Sequence, residues 1–318
     1  MLAQPVPDPE VQPDVQLDVQ LAARQGALLA PLRGLPQLDE RIAAFVACVE
    51  VPPGRAGFKY IAPAARALHA AILQEAGEQG ARVFLLACLL AAARSTLRSG
   101  RIERLPARVR AHQLRQFERI AAHDEGMLQY CRLEADVYLK ELGLATLRLY
   151  AGASSVIDPH SGVGRSLLWK AGLHRLPGRL LLFARAGGFR PFFEVHVHKL
   201  YLDEFNEAGR NECYRCCVDL YALHPEVLGM IGGSWFYDPV VETISPHLAY
   251  LRTVPESGGA RVLFVSYDEQ AVGNATAKSE KRRALHTAGR YRPASWTLVW
   301  PRRDQQAWAR RLDGLDRN

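Results

Sequence analysis

The hydrophobic pattern of this chain changes once, near residue 147, and that change limits the folds open to it. Before residue 147, apolar residues recur at intervals of three and four positions, as in residues 62–75, which is the spacing of one helix face. After it, short segments rich in β-branched and aromatic residues alternate with turns containing glycine and proline, which is typical of strands. The sequence therefore predicts an α+β fold, with a helical region at residues 21–147 and a mixed-sheet domain at residues 148–318.

The ends of the chain and its composition narrow the class of protein further. Of 318 residues, 48% are hydrophobic, which is enough for an ordinary core. Residues 1–20 hold four prolines and the near-repeat PDVQLDVQ, and we predict a disordered tail there. This segment lacks the basic and apolar parts of a signal peptide, and the longest apolar run, residues 83–93, is too short to cross a bilayer. We expect a cytoplasmic protein with reduced thiols and no membrane segment.

The charge of the chain bears on its partners. The formal net charge is +7 and the pI is about 9.2, so this is a basic protein. A positive surface can attract nucleic acid, a phosphate-bearing cofactor or a membrane surface. Much of the excess is arginine scattered along the chain, so charge alone does not select among these partners.

The segment at residues 192–252 is the densest in residues that carry chemistry. It contains Glu194, His196 and His198 at alternate positions of a predicted strand, so their side chains share one face. Carboxylates and imidazoles placed in this way can act as general bases, and two histidines can form half of a metal site. Hydrogen-bonded histidines on a polar strand face are the alternative interpretation.

Three cysteines follow in a predicted helix: Cys213, Cys216 and Cys217. Residues three or four positions apart share a helix face, so Cys213 and a second cysteine could complete a zinc site with the two histidines. Buried, unreactive thiols and a reactive nucleophile with a lowered pKa are the alternatives.

Two glycine pairs mark turns or unusual strands. Residues 178–202 read as two strands around Gly187-Gly188, which predicts a hairpin. The octapeptide GGSWFYDP at residues 232–239 reads as a strand with glycines inside it, where another backbone or a ligand can approach closely. Its candidate substrate-binding residues are Gly232, Gly233, Ser234, Trp235 and Tyr237; a bulged core strand is the alternative.

The order of elements in the second half, together with the segment SPHLAYLRTVPESGGARVLFVSY, resembles the GNAT (N-acetyltransferase) superfamily. In this mapping EVHVHKLYL is the central strand, and GMIGGSWFYD is the next strand, which diverges from it to open a V-shaped cleft. The resemblance implies acyl transfer from a thioester to an amine. It also implies that Tyr250 protonates the leaving thiolate and that Arg210 lies near the start of a helix that receives the pyrophosphate of CoA.

One part of the sequence departs from the family pattern. The family places a Gln/Arg-x-x-Gly-x-Gly/Ala loop before this helix, whereas the present chain has DEFNEAGRNECY, with the single glycine Gly209. Three acidic residues in this stretch, Asp203, Glu204 and Glu207, would repel phosphate. The resemblance therefore leaves three donors open: acyl-CoA, an acyl-carrier protein and aminoacyl-tRNA.

We predict an acyltransferase-like enzyme with a small amine as acceptor. Its base is Glu194, His196 or His198, its acid is Tyr250, and the strand at residues 232–237 forms one wall of the substrate cleft. A metal-dependent enzyme built on His196 and His198 is one alternative, and a non-catalytic protein that binds nucleic acid or a protein partner is another. No sequence feature fixes the oligomeric state.

Overall fold

The computed structural model describes residues 13–50, 57–122, 125–170 and 172–315. The chain forms two compact units, Met1–Ala151 and Gly152–Asn318. The first unit is helical and the second contains most of a six-stranded mixed sheet, so the predicted α+β class is confirmed.

The described part of the first unit contains five α-helices, and four of them pack on the apolar helix α3. Every residue at positions 83–90 is buried, because the segment VFLLACLL has no polar face. Gly77 has a φ of 67° and divides this helix into two parts, the first of which contains most of the periodic segment at residues 62–75. The helices are α1 (Pro13–Leu28), α2 (Leu38–Glu50), α3 (Pro63–Arg98), α4 (Ala107–Ala122) and α5 (Asp136–Ala145).

The structure bears on two expectations from the sequence: that the chain has no membrane segment, and that residues 1–20 form a disordered tail. By length and composition α3 could cross a membrane, and 78% of its most apolar window is buried inside the protein, which is the pattern of a core helix. Residues 1–12 of the predicted disordered tail lie outside the described residues. Residues 13–20 were predicted to be disordered but form the start of α1, a helix in which the side chains of Leu17 and Leu21 are buried.

The second unit is organised by a sheet in the order β1-β2-β3-β4-β6-β5. Strand β3 runs antiparallel to β2 and parallel to β4, while β6 runs antiparallel to both β4 and β5. A parallel pair needs a crossover connection, and a helix at Glu207–Leu220 lies within it. The strands are β1 (Tyr150–Gly152), β2 (Ser155–Ser161), β3 (Phe192–Val197), β4 (Gly229–Ser234), β5 (Arg261–Ser266) and β6 (Ser295–Pro301).

Seven α-helices accompany this sheet in the described part of the second unit. They are α6 (Leu176–Ala186), α7 (Glu207–Leu220), α8 (Val241–Ile244), α9 (Tyr250–Ser257), α10 (Glu269–Thr276), α11 (Glu280–Thr287) and α12 (Arg302–Leu315).

The two faces of the sheet are covered by different helices. On one face, Phe192 and Ile231 join a buried cluster with Phe183 of α6. On the other face, the ring of Phe193 lies 5.2 Å from that of Tyr221, just after α7. Because neighbouring residues of a strand point to opposite faces, Glu194 and His196 lie on the α6 side of β3, and Val195 lies on the α7 side.

The hairpin predicted at residues 178–202 is wrong. Residues 176–186 form α6, because Leu182, Phe183 and Ala186 provide an apolar helical face that packs on the sheet. Gly187 is not in a hairpin turn: it has a φ of 89° and ends the helix in the left-handed conformation, so it is a C-terminal cap.

The cap predicts a difference between two glycines of the same region. The variant Gly187→Ala should lower the free energy of unfolding by about 1 kcal/mol, because a side chain disfavours the left-handed conformation. In the matched variant Gly178→Ala, the new methyl group enters open space within α6, so stability should stay the same or rise. Urea unfolding of both variants measures the difference, and equal stabilities would contradict this role of Gly187.

Candidate active site

The parallel strands β3 and β4 pair over only part of their length. The paired positions are Phe193 with Met230 and Glu194 with Ile231, although each strand continues for three more residues. The strands therefore diverge beyond Glu194. A cavity of about 280 Å³ lies at this position, against β3, β4, β5, β6 and the loop after β2. Its lining residues are Gly162, Val163, Gly164, Ser166, Leu167, Lys170, Glu194, Ile231, Gly233, Val265 and Thr297.

The predicted base Glu194 lies in this cavity with His196 beside it. The Oε2 atom of Glu194 accepts a hydrogen bond of 2.5 Å from the Ser161 hydroxyl. It lies 3.9 Å from Nε2 of His196. The side chains of Glu194 and His196 are 29% and 23% exposed, so both are partly accessible from solvent. A half-buried carboxylate held by one hydroxyl group next to an imidazole can accept a proton from a bound substrate.

A second carboxylate joins this cluster. Asp158 on β2 is the cross-strand partner of Glu194, so both side chains lie on the same face of the sheet. Burial raises the pKa of Asp158, and the nearby negative charge of Glu194 adds to the rise, while a hydrogen bond from the His160 backbone N–H opposes it. A proton on Asp158 would relieve the repulsion between the two carboxylates.

The remaining predicted base, His198, has a different role. Strand β3 ends at Val197, and His198 caps the following turn by accepting a hydrogen bond of 3.1 Å from the Leu200 N–H at its Nδ1 atom. The ring is fully buried and lies 4.6 Å from that of Tyr201. The prediction that His196 and His198 share one strand face is therefore wrong, because the chain leaves the sheet between them.

The sheet also separates His196 from the cysteines. Cys213, Cys216 and Cys217 are fully buried in α7, on the other face of the sheet from His196. Among the described residues, no group of three possible metal ligands includes His196 or His198. A hydrogen bond with Cys217 and the charge of Arg210 lower the pKa of Cys213 against the effect of burial.

Arg210 lies beneath the diverging strands and not on the cavity wall. Its side chain is buried, and Nη1 donates to the Ser155 hydroxyl over 2.7 Å while Nη2 donates to the Tyr237 hydroxyl over 3.3 Å. The guanidinium also lies 5.1 Å from the centre of the Tyr214 ring. Arg210 and Tyr237, predicted to bind substrate, therefore support the site from the core.

The predicted substrate wall at residues 232–237 is only half strand. Strand β4 ends at Ser234, and residues 235–237 form a short turn. Gly233 lines the cavity, and Ser234 is half-buried. The Trp235 ring packs under the guanidinium of Arg282, at 4.5 Å, so it belongs to a neighbouring cation–π contact.

Gly232 has a steric function that the sequence indicated only in general terms. A side chain on Gly232 would place its Cβ 2.4 Å from the Tyr237 hydroxyl oxygen. The missing side chain thus leaves room for the hydroxyl group that Arg210 holds. The glycine pair was also predicted to let a ligand approach closely. This interpretation fits Gly233, whose α-carbon faces open space, and not Gly232.

The predicted acid Tyr250 lies at the first turn of α9. Its hydroxyl donates a hydrogen bond of 3.2 Å to the Phe205 carbonyl, which immediately precedes the capping residue of α7. Burial raises the pKa of Tyr250 to about 12, with the positive charge of Arg210 opposing the rise. The phenol is consequently protonated at neutral pH. Its described partners lie on the α7 side, away from Glu194.

Sequence reasoning missed Asp158, Ser161 and Lys170. The first two lie on β2, whose pairing with β3 places them beside Glu194, and Lys170 lines the cavity from the following loop. The sequence carried one usable signal: polar residues in DPHSG at the end of a strand that is otherwise apolar. It did not show which later strand they would meet.

Comparison with known proteins supports the fold. No known protein family and no curated protein sequence matches the chain. Among solved structures, it is similar to an acyltransferase in complex with decanoyl-CoA and teicoplanin, with 14% sequence identity and a TM-score of 0.52 over 94% of this chain and 90% of that one. A structure of an acyltransferase in complex with decanoyl-CoA matches at 15% identity, with a TM-score of 0.48 over 93% and 90% of the two chains.

The packing beneath the site can be tested at two adjacent glycines. Gly232→Ala should lower the free energy of unfolding by about 1–3 kcal/mol, since the new methyl group displaces a hydroxyl group that is hydrogen-bonded to a buried charge. Gly233→Ala, with open space around it, should change stability by less than about 0.5 kcal/mol. Chemical denaturation gives both values. A Gly232→Ala variant as stable as the Gly233→Ala variant would show that the Tyr237 contact is unimportant.

The raised pKa of Asp158 predicts a pH dependence. A carboxyl group whose folded pKa exceeds its unfolded value near 3.9 stabilises the fold below that value, and the contribution is lost as pH rises through the folded pKa. Asp158→Asn keeps an oxygen acceptor for the His160 N–H but cannot ionise. The Tm of this variant relative to wild type should therefore be higher at pH 7 than at pH 4. The exposed Asp203→Asn variant is the control, and a difference that is independent of pH would refute the prediction.

Proposed function

We propose that this protein is an acyltransferase that moves an acyl group from a thioester to a small amine. The observation that carries the proposal is the cavity at the divergence of β3 and β4, with the Glu194 carboxylate on its wall. Similarity to an acyltransferase fold over almost the whole chain agrees with it.

The strand arrangement supports the finer proposal that the second unit is GNAT-like. The resemblance noted in the sequence implies a central strand, a helix and a diverging parallel strand. The corresponding elements are β3, α7 and β4, and only two residues of β3 pair with β4. A gap of this kind leaves main-chain N–H groups near the reacting carbonyl, where they can stabilise negative charge.

Glu194 is the proposed general base. As the amine nitrogen attacks the thioester carbonyl, a C–N bond forms, the C–S bond breaks, and the proton of the amine passes to the carboxylate. Ser161 holds one carboxylate oxygen in place, and His196, at 3.9 Å, can receive the proton from Glu194 or act on the amine itself. Burial raises the pKa of Asp158, which favours the protonated form of this carboxyl group beside Glu194.

Tyr250 fits the role of hydrogen-bond donor better than that of full acid. A phenol with a pKa of about 12 loses its proton reluctantly to a thiolate whose conjugate acid has a pKa of roughly 8.5. A hydrogen bond from the hydroxyl would still stabilise the thiolate that leaves. This interaction requires Tyr250 to exchange its bond to the Phe205 carbonyl for one to the substrate.

The start of α7 does not fit the pyrophosphate of CoA. The Gly209 N–H is already bonded to the side chain of Asn206, and Glu207 places a negative charge in the first turn. The Glu204 carbonyl oxygen also packs where a Cβ of Gly209 would lie, so the preceding loop covers the helix start. We therefore propose recognition of the donor through its acyl and thioester part, which acyl-CoA and an acyl-carrier protein share.

Activity of Glu194 variants tests the proposal. Thiol release from decanoyl-CoA in the presence of a panel of primary amines should fall about 10²–10⁴-fold in kcat for Glu194→Gln, because the variant lacks a proton acceptor of the right basicity. The KM for the thioester should change little. Glu269→Gln, an exposed glutamate at the start of α10, is the control.

Two outcomes would count against this function. Full activity of Glu194→Gln would remove Glu194 from the reaction. Absence of binding to both decanoyl-CoA and a decanoyl carrier protein, measured by calorimetry, would refute a thioester donor. Binding to the carrier protein alone would identify the donor class and agree with the covered start of α7.

A further inference from the structure

Arg261 and Val262 begin β5 at the edge of the sheet, away from Val265, the residue of this strand that lines the candidate active site. In the described part of the chain, β5 is the last strand of the sheet and pairs only with β6. The Phe264 carbonyl oxygen accepts a hydrogen bond of 3.5 Å from Nη2 of Arg179 on α6. The main-chain groups of Phe264 therefore point away from β6. Because these directions alternate in an antiparallel pair, the N–H and C=O of Val262 point outward as well.

A groove of about 500 Å³ lies between this edge and α6. Its floor is apolar and includes Leu182, Val262 and Leu263. On α6 the side chain of Leu181 lines the groove and is 69% exposed, and the nearby Leu173 is 73% exposed. Large leucine side chains left in water beside an open strand edge are a feature of surfaces that bind another chain.

The rim of the groove is positively charged. Arg175, Arg185 and Arg261 line it together with His174. The acidic residue that lines it, Asp304, already pairs with Arg185 over 2.8 Å. The groove therefore complements an acidic partner. Pairing with the same edge of a second copy would bring the two sets of arginines together, which disfavours self-association.

We propose that this groove binds an extended peptide segment with an apolar centre and acidic ends, which adds a strand to the edge of β5. The main-chain groups of Val262 would pair with the peptide backbone, Leu181 and Leu182 would contact its apolar side chains, and Arg261 would bind a carboxylate. Strand addition gains affinity from main-chain hydrogen bonds and specificity from side-chain contacts. The inference does not depend on the proposed acyl transfer.

Fluorescence anisotropy with a labelled peptide of sequence DEVLVED tests the inference on the full-length protein. Arg261→Glu should weaken binding by at least about tenfold, whereas Arg310→Glu, the same charge change at an exposed position of α12, should alter it less than about twofold. Val262→Pro should also weaken binding by about tenfold, because it removes the outward N–H without breaking a bond to β6. Circular dichroism checks that each variant is folded.

Control peptides separate strand addition from simple charge attraction. A backbone N-methylated DEVLVED peptide and the basic peptide KKVLVKK should both fail to bind. Equal binding of the N-methylated peptide, or equal loss in Arg261→Glu and Arg310→Glu, would overturn the proposal. A dimer of this chain in sedimentation experiments would also overturn the proposal if Val262→Pro dissociates it and the peptide does not. The edge of β5 would then bind a second copy.

Discussion

The guanidinium of Arg210 is a positive charge removed from water, and the arrangement of the candidate site depends on it. It bonds the hydroxyl groups of Ser155 on β2 and Tyr237 after β4, and it extends from α7 between them. Three elements that are distant in sequence are thereby fixed to one point. A buried charge is tolerated only where surrounding polar groups replace its hydration. These contacts therefore restrict the positions of the strands at the point where they begin to diverge.

The consequence of this anchor is visible at Gly232. The Tyr237 hydroxyl occupies the space that a side chain at residue 232 would need, so β4 must carry glycine there and the following turn must fold back under the strand. The next residue, Gly233, then faces the cavity. The support and the surface of the candidate site thus come from adjacent residues of one strand.

The sheet divides the chemistry of the second unit into two compartments. Glu194, His196 and Asp158 lie on the α6 face, where two side chains reach solvent, whereas the cysteines and Arg210 lie on the α7 face, in the core. This division explains why residues that are close in sequence serve different purposes. The first group can exchange protons with a substrate, and the second group holds the strands in position.

Local spacing in the sequence was enough to predict the α+β class with its helices before the sheet, the presence of the strand β3, and the placement of Glu194 and His196 on one face. Contacts between distant segments account for the remaining features: His198 caps a turn, Gly187 ends a helix, Arg210 is buried, and Asp158 lies opposite Glu194. The physical reason is that side-chain periodicity is written in neighbouring residues, whereas strand pairing and burial depend on contacts between segments far apart in the chain. Those contacts decide where β3 ends and which strands pair with it. The candidate site therefore combines residues placed by local periodicity with residues brought together by strand pairing.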